Sequence, residues 1–120
     1  MAKILIADDS TSMRQMVSFT LKASGFEFDE AKDGEEAFAL AQKNQYDLVL
    51  SDINMPGKNG IELTKAIRGL DNYRFTPILL LTTESATDRK TEGKSAGATG
   101  WIVKPFNPDT LINTIKKVMK

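Results

Sequence analysis

The chain has 120 residues, enough for one domain with a sizeable core, and its 16 basic and 16 acidic side chains cancel to zero formal charge. That balance excludes a protein that wraps nucleic acid or adsorbs to an anionic membrane through bulk charge. Cysteine and histidine are both absent, which removes disulfides, thiolate chemistry, imidazole general bases and His-containing zinc sites together.

Met1-Ala2-Lys3 leads into a short strand-like run rather than a signal peptide, and no apolar stretch approaches the roughly 18 residues of a membrane span. A cytoplasmic protein with no membrane insertion is therefore expected. Lys3 to Ala7 is rich in isoleucine and reads as a buried strand, followed by a polar stretch from Asp8 to Ser12. Met13, Met16, Val17, Thr20 and Leu21 then recur at three- and four-residue spacing and predict a helix that Gly25 ends. Phe26, Phe28 and Glu30 alternate with charged neighbours, the pattern of a strand near a sheet edge. A helix over Glu35 to Gln42 offers Ala37, Leu40 and Ala41, and Tyr46 to Ser51 is the third strand.

Asn54 to Gly60 is a turn-forming loop, and the helix after it presents Ile61, Leu63, Ile67 and Leu70. Pro77 opens the most hydrophobic strand, Ile78 to Leu81. A polar helix from Ser85 to Ala96 is weakened by Gly93. Gly97 and Gly100 bracket the approach to the fifth strand, Trp101 to Val103. The last helix has Asn107 as N-cap and Pro108 at its first position, with Leu111, Ile112, Ile115 and Met119 as its stripe. Strands and helices in strict alternation predict an α/β, doubly wound parallel sheet with helices on both faces, a single domain over residues 1–120.

Several of these apolar runs end in a residue that is costly to bury. Asp8-Asp9, Asp52 and Lys104 close three of them, and Thr82 closes a fourth. Right-handed crossovers bring the carboxyl ends of parallel strands to one edge, where open sheets bind ligands. Carboxylates gathered there need a proton, a lysine or a divalent cation, and oxygen donors without His or Cys favour Mg²⁺. Such a site would let the Asp52 carboxylate meet a phosphoryl group, with Lys104 and Thr82 on the phosphoryl oxygens. A Mg²⁺-dependent phosphatase would use the same parts, but the general acid or base and the substrate cap it needs are not visible. Nucleotide binding is discounted, because Asp8-Asp9-Ser10-Thr11-Ser12 stands where a Gly-rich phosphate loop would be.

Asp8-Asp9, Leu50-Ser51-Asp52-Ile53-Asn54-Met55-Pro56 with Gly60, Thr82-Thr83, and Lys104-Pro105-Phe106 closely resemble, in this order and spacing, the response-regulator receiver domain. The resemblance runs from Lys3 to the C-terminus and implies a flavodoxin-like, CheY-like fold, with five strands in the order 2-1-3-4-5 and five helices. It implies Asp52 as the phospho-acceptor for a histidine kinase. Asp9, Asp52 and the Asn54 carbonyl would ligate Mg²⁺ directly, with Asp8 acting through water. Lys104 and Thr82 would contact the phosphoryl group, Asn54 and Glu84 would tune its hydrolysis, and Lys104-Pro105 would be a cis peptide bond. Thr82 and Trp101 would form the switch; tryptophan there departs from the family's usual tyrosine or phenylalanine and lacks the phenolic hydroxyl.

Ser10-Thr11-Ser12-Met13-Arg14 resembles the stand-alone chemotaxis members. That implies a monomeric signalling domain, not a turnover enzyme, with a kinase of the chemotaxis type, a phosphorylation-dependent target such as the flagellar motor switch, and a phosphatase as partners. A phosphate relay or sink in a non-motility pathway is the alternative. Met13, Met16 and Met55 read as packing, and Lys116, Lys117 and Lys120 as a solvated face.

Overall fold

Parallel pairing joins β1 (Lys3–Ala7), β2 (Glu27–Ala31), β3 (Leu48–Asp52), β4 (Ile78–Thr83) and β5 (Gly100–Lys104) in the order β2-β1-β3-β4-β5. The structure, a computed structural model, describes residues 2–83, 87–104 and 106–119. The crossovers are α1 (Thr11–Ala23), α2 (Gly34–Lys43), α3 (Gly60–Arg68) and α4 (Thr87–Ala96), and α5 (Pro108–Val118) closes the chain. The predicted topology is thus the one observed, and none of the described helices is long and apolar enough to cross a membrane.

Alternation along the strands splits the core into two layers. Ile4, Ile6, Leu48, Leu50, Leu79, Leu81 and Ile102 pack with Val17 and Leu21 of α1 and Leu111 and Ile115 of α5. Leu5, Ala7, Val49 and Ile78 face the other way, onto Ala37 and Ala41 of α2 and Leu63 and Ile67 of α3. The central strand β3 is buried along its whole length, as a strand covered on both faces must be. The outer strands β2 and β5 keep exposed positions, as the charged alternation of β2 predicts.

Several boundaries shift for local reasons. Helix α1 starts two residues earlier than the apolar spacing suggests, because the Ser10 Oγ accepts the Met13 N–H at 3.3 Å and caps it. Its buried arc centres on Val17 and Leu21, one turn apart, which leaves Met13 half-buried against the core and Met16 38% exposed. Met16 is therefore not core packing, whereas Met55 is. Strand β3 begins at Leu48 rather than Tyr46, and β4 and β5 each run further than the apolar run alone, to Thr83 and Lys104. The expected start of α4 at Ser85 lies outside the described residues, as does Lys120; Lys116 and Lys117 are exposed. At α5 the Asn107 Oδ1 accepts the Thr110 N–H at 2.7 Å, with Pro108 in the first turn, as predicted.

The amino-terminal edge of the sheet is tied by side chains that periodicity does not reveal. A 3-10 turn, Asp71–Tyr73, buries Tyr73, whose hydroxyl accepts the Tyr46 N–H at 3.2 Å and lies against the carbonyls of Ala41 and Asn44. The Tyr46 hydroxyl donates to Asp29 at 2.6 Å, which holds the Asp29 carboxyl below its ordinary value. Arg68, the last residue of α3, donates to the carbonyls of Tyr73 (2.7 Å), Thr76 (2.6 Å) and Gly97 (2.9 Å). One planar guanidinium thus joins α3, the approach to β4 and the approach to β5. Arg68→Ala leaves these carbonyls without their donor and is expected to cost about 2–3 kcal/mol in urea unfolding. Arg68→Lys should recover only a minor part, since a single ammonium cannot span the fork.

Candidate functional site

The carboxyl ends of β1, β3, β4 and β5 meet, as the crossover rule requires. Asp8 follows β1 directly and is fully buried. Its N–H donates to the Ala31 carbonyl (3.1 Å) and its Oδ1 accepts the Ser10 N–H (2.9 Å). Asp52 ends β3 at 7% exposure. The Lys104 Nζ at the end of β5 lies 3.2 Å from Asp52 Oδ1 and 3.9 Å from Asp8 Oδ2. Asp9 is exposed, yet Asp8, Asp9 and Asp52 each bring a carboxylate oxygen within 4.8 Å of the others. The four charged residues expected from sequence to converge do so.

Parity along the strands sorts the remaining residues. Asp52 and Lys104 continue the face of Leu50 and Ile102, the side of α1 and α5. Thr82, 5% exposed, and Trp101 fall on the opposite face with Leu80. Trp101 is half-buried and packs with Ala98 against Ile53, Ile61, Leu80 and Ala96. Asn54 sits exposed in the loop after β3. Glu84 and the Lys104-Pro105 peptide bond, for which hydrolysis tuning and a cis bond are expected, involve positions outside the described residues.

Two further residues shape the end of β3. Gly60, the first residue of α3, donates its N–H to the Ile53 carbonyl (2.9 Å), and a Cβ there would collide with the Asp52 carbonyl. Only glycine lets α3 begin this close to Asp52. Ser51 is fully buried and donates to the Asp52 carbonyl at 2.8 Å. Sequence reading passes over Ser51 because a serine in an apolar strand carries no signal of its own. Arg14 enters the sequence reading only within a motif, and its Nη1 donates to the Asp8 carbonyl at 2.6 Å.

Electrostatics make the cluster a cation site. Burial pushes the Asp8 carboxyl above its ordinary value; the Ser10 N–H opposes this, the charge of Asp52 adds to it, Lys104 opposes it and Asp9 adds to it. Its Oδ2 is buried and, among the described residues, accepts no hydrogen bond. One ammonium faces three carboxylates, so a negative excess and an unsatisfied acceptor remain. The donors are all oxygen, which suits a hard divalent ion that keeps part of its water shell, and the residues present fit Mg²⁺.

Residues 4–116 match the response regulator receiver domain. The chain belongs to that family. It is 40% identical over 119 residues to the chemotaxis protein CheY-3 of Vibrio cholerae, spanning 98% of this chain and 92% of that one. The solved structure of Vibrio cholerae CheY4 is similar with a TM-score of 0.95 and 56% identity, covering 98% of both chains. The transcriptional regulatory protein ResD of Bacillus subtilis is 36% identical over 118 residues, 98% of this chain but 48% of that protein. The receiver domain is thus a phosphorylation-switched, Mg²⁺-dependent signalling domain of a two-component system, working opposite a histidine kinase, rather than a turnover enzyme.

The raised Asp8 carboxyl binds protons more readily folded than unfolded. In the metal-free receiver, stability is therefore lost as pH rises from the ordinary carboxylate range through the raised value. Asp8→Asn keeps an acceptor for Ser10 and removes one charge. The metal-free variant is expected to gain about 1 kcal/mol at pH 7 in urea denaturation, and to lose most of the stabilisation that added Mg²⁺ gives the parent.

Proposed function

We propose that Asp52 is the phosphoryl acceptor and that the receiver serves in a cytoplasmic chemotaxis pathway. The observation that carries the acceptor assignment is the contact of Lys104 with Asp52 at 3.2 Å within the three-carboxylate cluster. Asp52 makes the shorter of the two Lys104 contacts and, unlike the fully buried Asp8, stays slightly open to solvent. An Asp52 oxygen attacks phosphorus of the kinase phosphohistidine, the P–N bond breaks, the imidazole leaves, and an acyl phosphate forms. A bound Mg²⁺ would neutralise charge on the phosphoryl oxygens, so that the carboxylate could approach phosphorus. Asp9, Asp52 and the Asn54 carbonyl would hold the ion directly, with Asp8 acting through water. Lys104 exchanges its carboxylate partners for a phosphoryl oxygen, and the Thr82 hydroxyl donates to another. Asn54 and Glu84 set how fast the acyl phosphate hydrolyses.

Thr82 and Trp101 lie on the sheet face opposite Asp52 and Lys104, which supports a switch that carries phosphorylation toward α4 and β5. The 56% identity to CheY4 across nearly the full length of both chains supports a chemotaxis role. On that reading the phosphorylated form binds a target such as the flagellar motor switch, and a phosphatase resets it. The match to ResD favours the second reading, a relay or sink in a non-motility pathway, because the same domain also stands in a transcriptional regulator.

Asp52→Asn is expected to abolish labelling by acetyl phosphate or phosphoramidate in the presence of Mg²⁺, read by intact-protein mass. Normal labelling of that variant would overturn the acceptor assignment. Trp101 is the only tryptophan, so its fluorescence should change on addition of Mg²⁺ and a phosphoryl donor. A spectrum unchanged by both would remove Trp101 from the switch.

A further inference from the structure

We propose that Arg14 is a positioning residue for the metal site, aiming Asp9 by holding the peptide plane that precedes it. The inference rests on the assignment of Mg²⁺ to Asp8, Asp9 and Asp52.

The three acids are not equally held. Asp8 is fixed by its N–H on the Ala31 carbonyl and by the Ser10 N–H on its Oδ1. Asp52 is fixed within β3 and by Lys104. Asp9 is exposed, and among the described residues no hydrogen bond or ion pair restrains its carboxylate. What restrains Asp9 is its backbone. The Asp8 carbonyl belongs to the rigid peptide unit joining Asp8 to Asp9, so the orientation of that oxygen sets the direction in which the chain enters Asp9. Arg14 Nη1 donates to that oxygen at 2.6 Å.

Arg14 is itself anchored at both ends of its fork. It lies in the first turns of α1, its Nη2 reaches Thr11 Oγ1 at 3.5 Å, and its Nε is 3.5 Å from Glu30 Oε1 on β2. The Glu30 contact decides the sign of the effect. A lone guanidinium beside the cluster would repel a divalent cation and weaken binding. Paired with Glu30 it brings donors but no net charge, so its ordering of Asp9 prevails over repulsion. Groups that orient metal ligands commonly matter by tenfold or more in affinity.

The test is Mg²⁺ titration calorimetry on the whole chain, with urea unfolding of each metal-free protein alongside. Arg14→Ala and Arg14→Met should weaken the Mg²⁺ Kd by about tenfold. Arg14→Lys, which keeps one donor and the charge, should recover part of the loss. Tyr46→Phe, at the opposite edge of the sheet, should lower the urea midpoint and leave the Kd unchanged. An unchanged Kd in Arg14→Met overturns the proposal, and that variant decides the matter if the alanine protein does not fold. A Kd weakened as much in Tyr46→Phe as in Arg14→Met also overturns it, since the effect would then be general loosening. A parent protein that does not bind Mg²⁺ would instead bring down the metal assignment, and this inference with it.

Discussion

Everything at the working edge of this molecule depends on three carboxylates being forced together by a sheet that cannot hold them apart. Parallel strands with right-handed crossovers deliver their carboxyl ends to one rim. β1 and β3 are neighbours there, so Asp8 and Asp52 meet whether or not that is favourable. Lys104 arrives from the far side of β4 and offsets part of the repulsion, at 3.2 Å from one acid and 3.9 Å from the other. The rest stays as a buried oxygen with no donor among the described residues, a local conflict of the kind that folded proteins keep where they bind something. Affinity for a hard cation follows from that conflict.

The same pleat that gathers the acids separates them from the residues proposed to report on them. Successive side chains point to opposite faces, so Asp52 and Lys104 share the α1 and α5 side while Thr82 and Trp101 share the side of α3 and α4. Chemistry on one face can therefore alter packing on the other without any strand moving in register. Trp101 sits among small and aliphatic neighbours, Ala96, Ala98, Ile61 and Leu80. A large ring in such a setting responds to small shifts of the backbone that carries it.

Much of this was legible in the sequence, for identifiable reasons. The alternation of strands and helices, the edge character of β2 and the buried course of β3 follow from hydrophobic alternation and continuous apolar runs, whereas the strand order 2-1-3-4-5 follows only from the resemblance to the receiver family. The cap at Asn107-Pro108 is a local signal and reads directly. Asp8, Asp9, Asp52 and Lys104 are legible because charge at the end of an apolar run is an anomaly visible in one dimension, whereas the roles of Asn54, Glu84 and Trp101 are read only from the resemblance. Met16 was misplaced because three- and four-residue spacing gives the width of a helix face but not its centre. The contacts of Ser51, Arg14 and Arg68 are not legible, because they are made to backbone carbonyls and nothing in a residue's type announces which carbonyl it will meet. The same holds for Tyr73, buried in a turn that carries no periodicity.

Arg68 has a consequence for how the molecule comes apart. Its partners lie 5, 8 and 29 residues away along the chain, in segments that local helix or strand formation does not bring together. The end of α3, the entry to β4 and the turn before β5 therefore open as one cooperative unit rather than fraying separately. The edge of the sheet that carries Lys104 is in this way insured by a residue at the opposite edge, and loses its protection only when the whole half of the domain does.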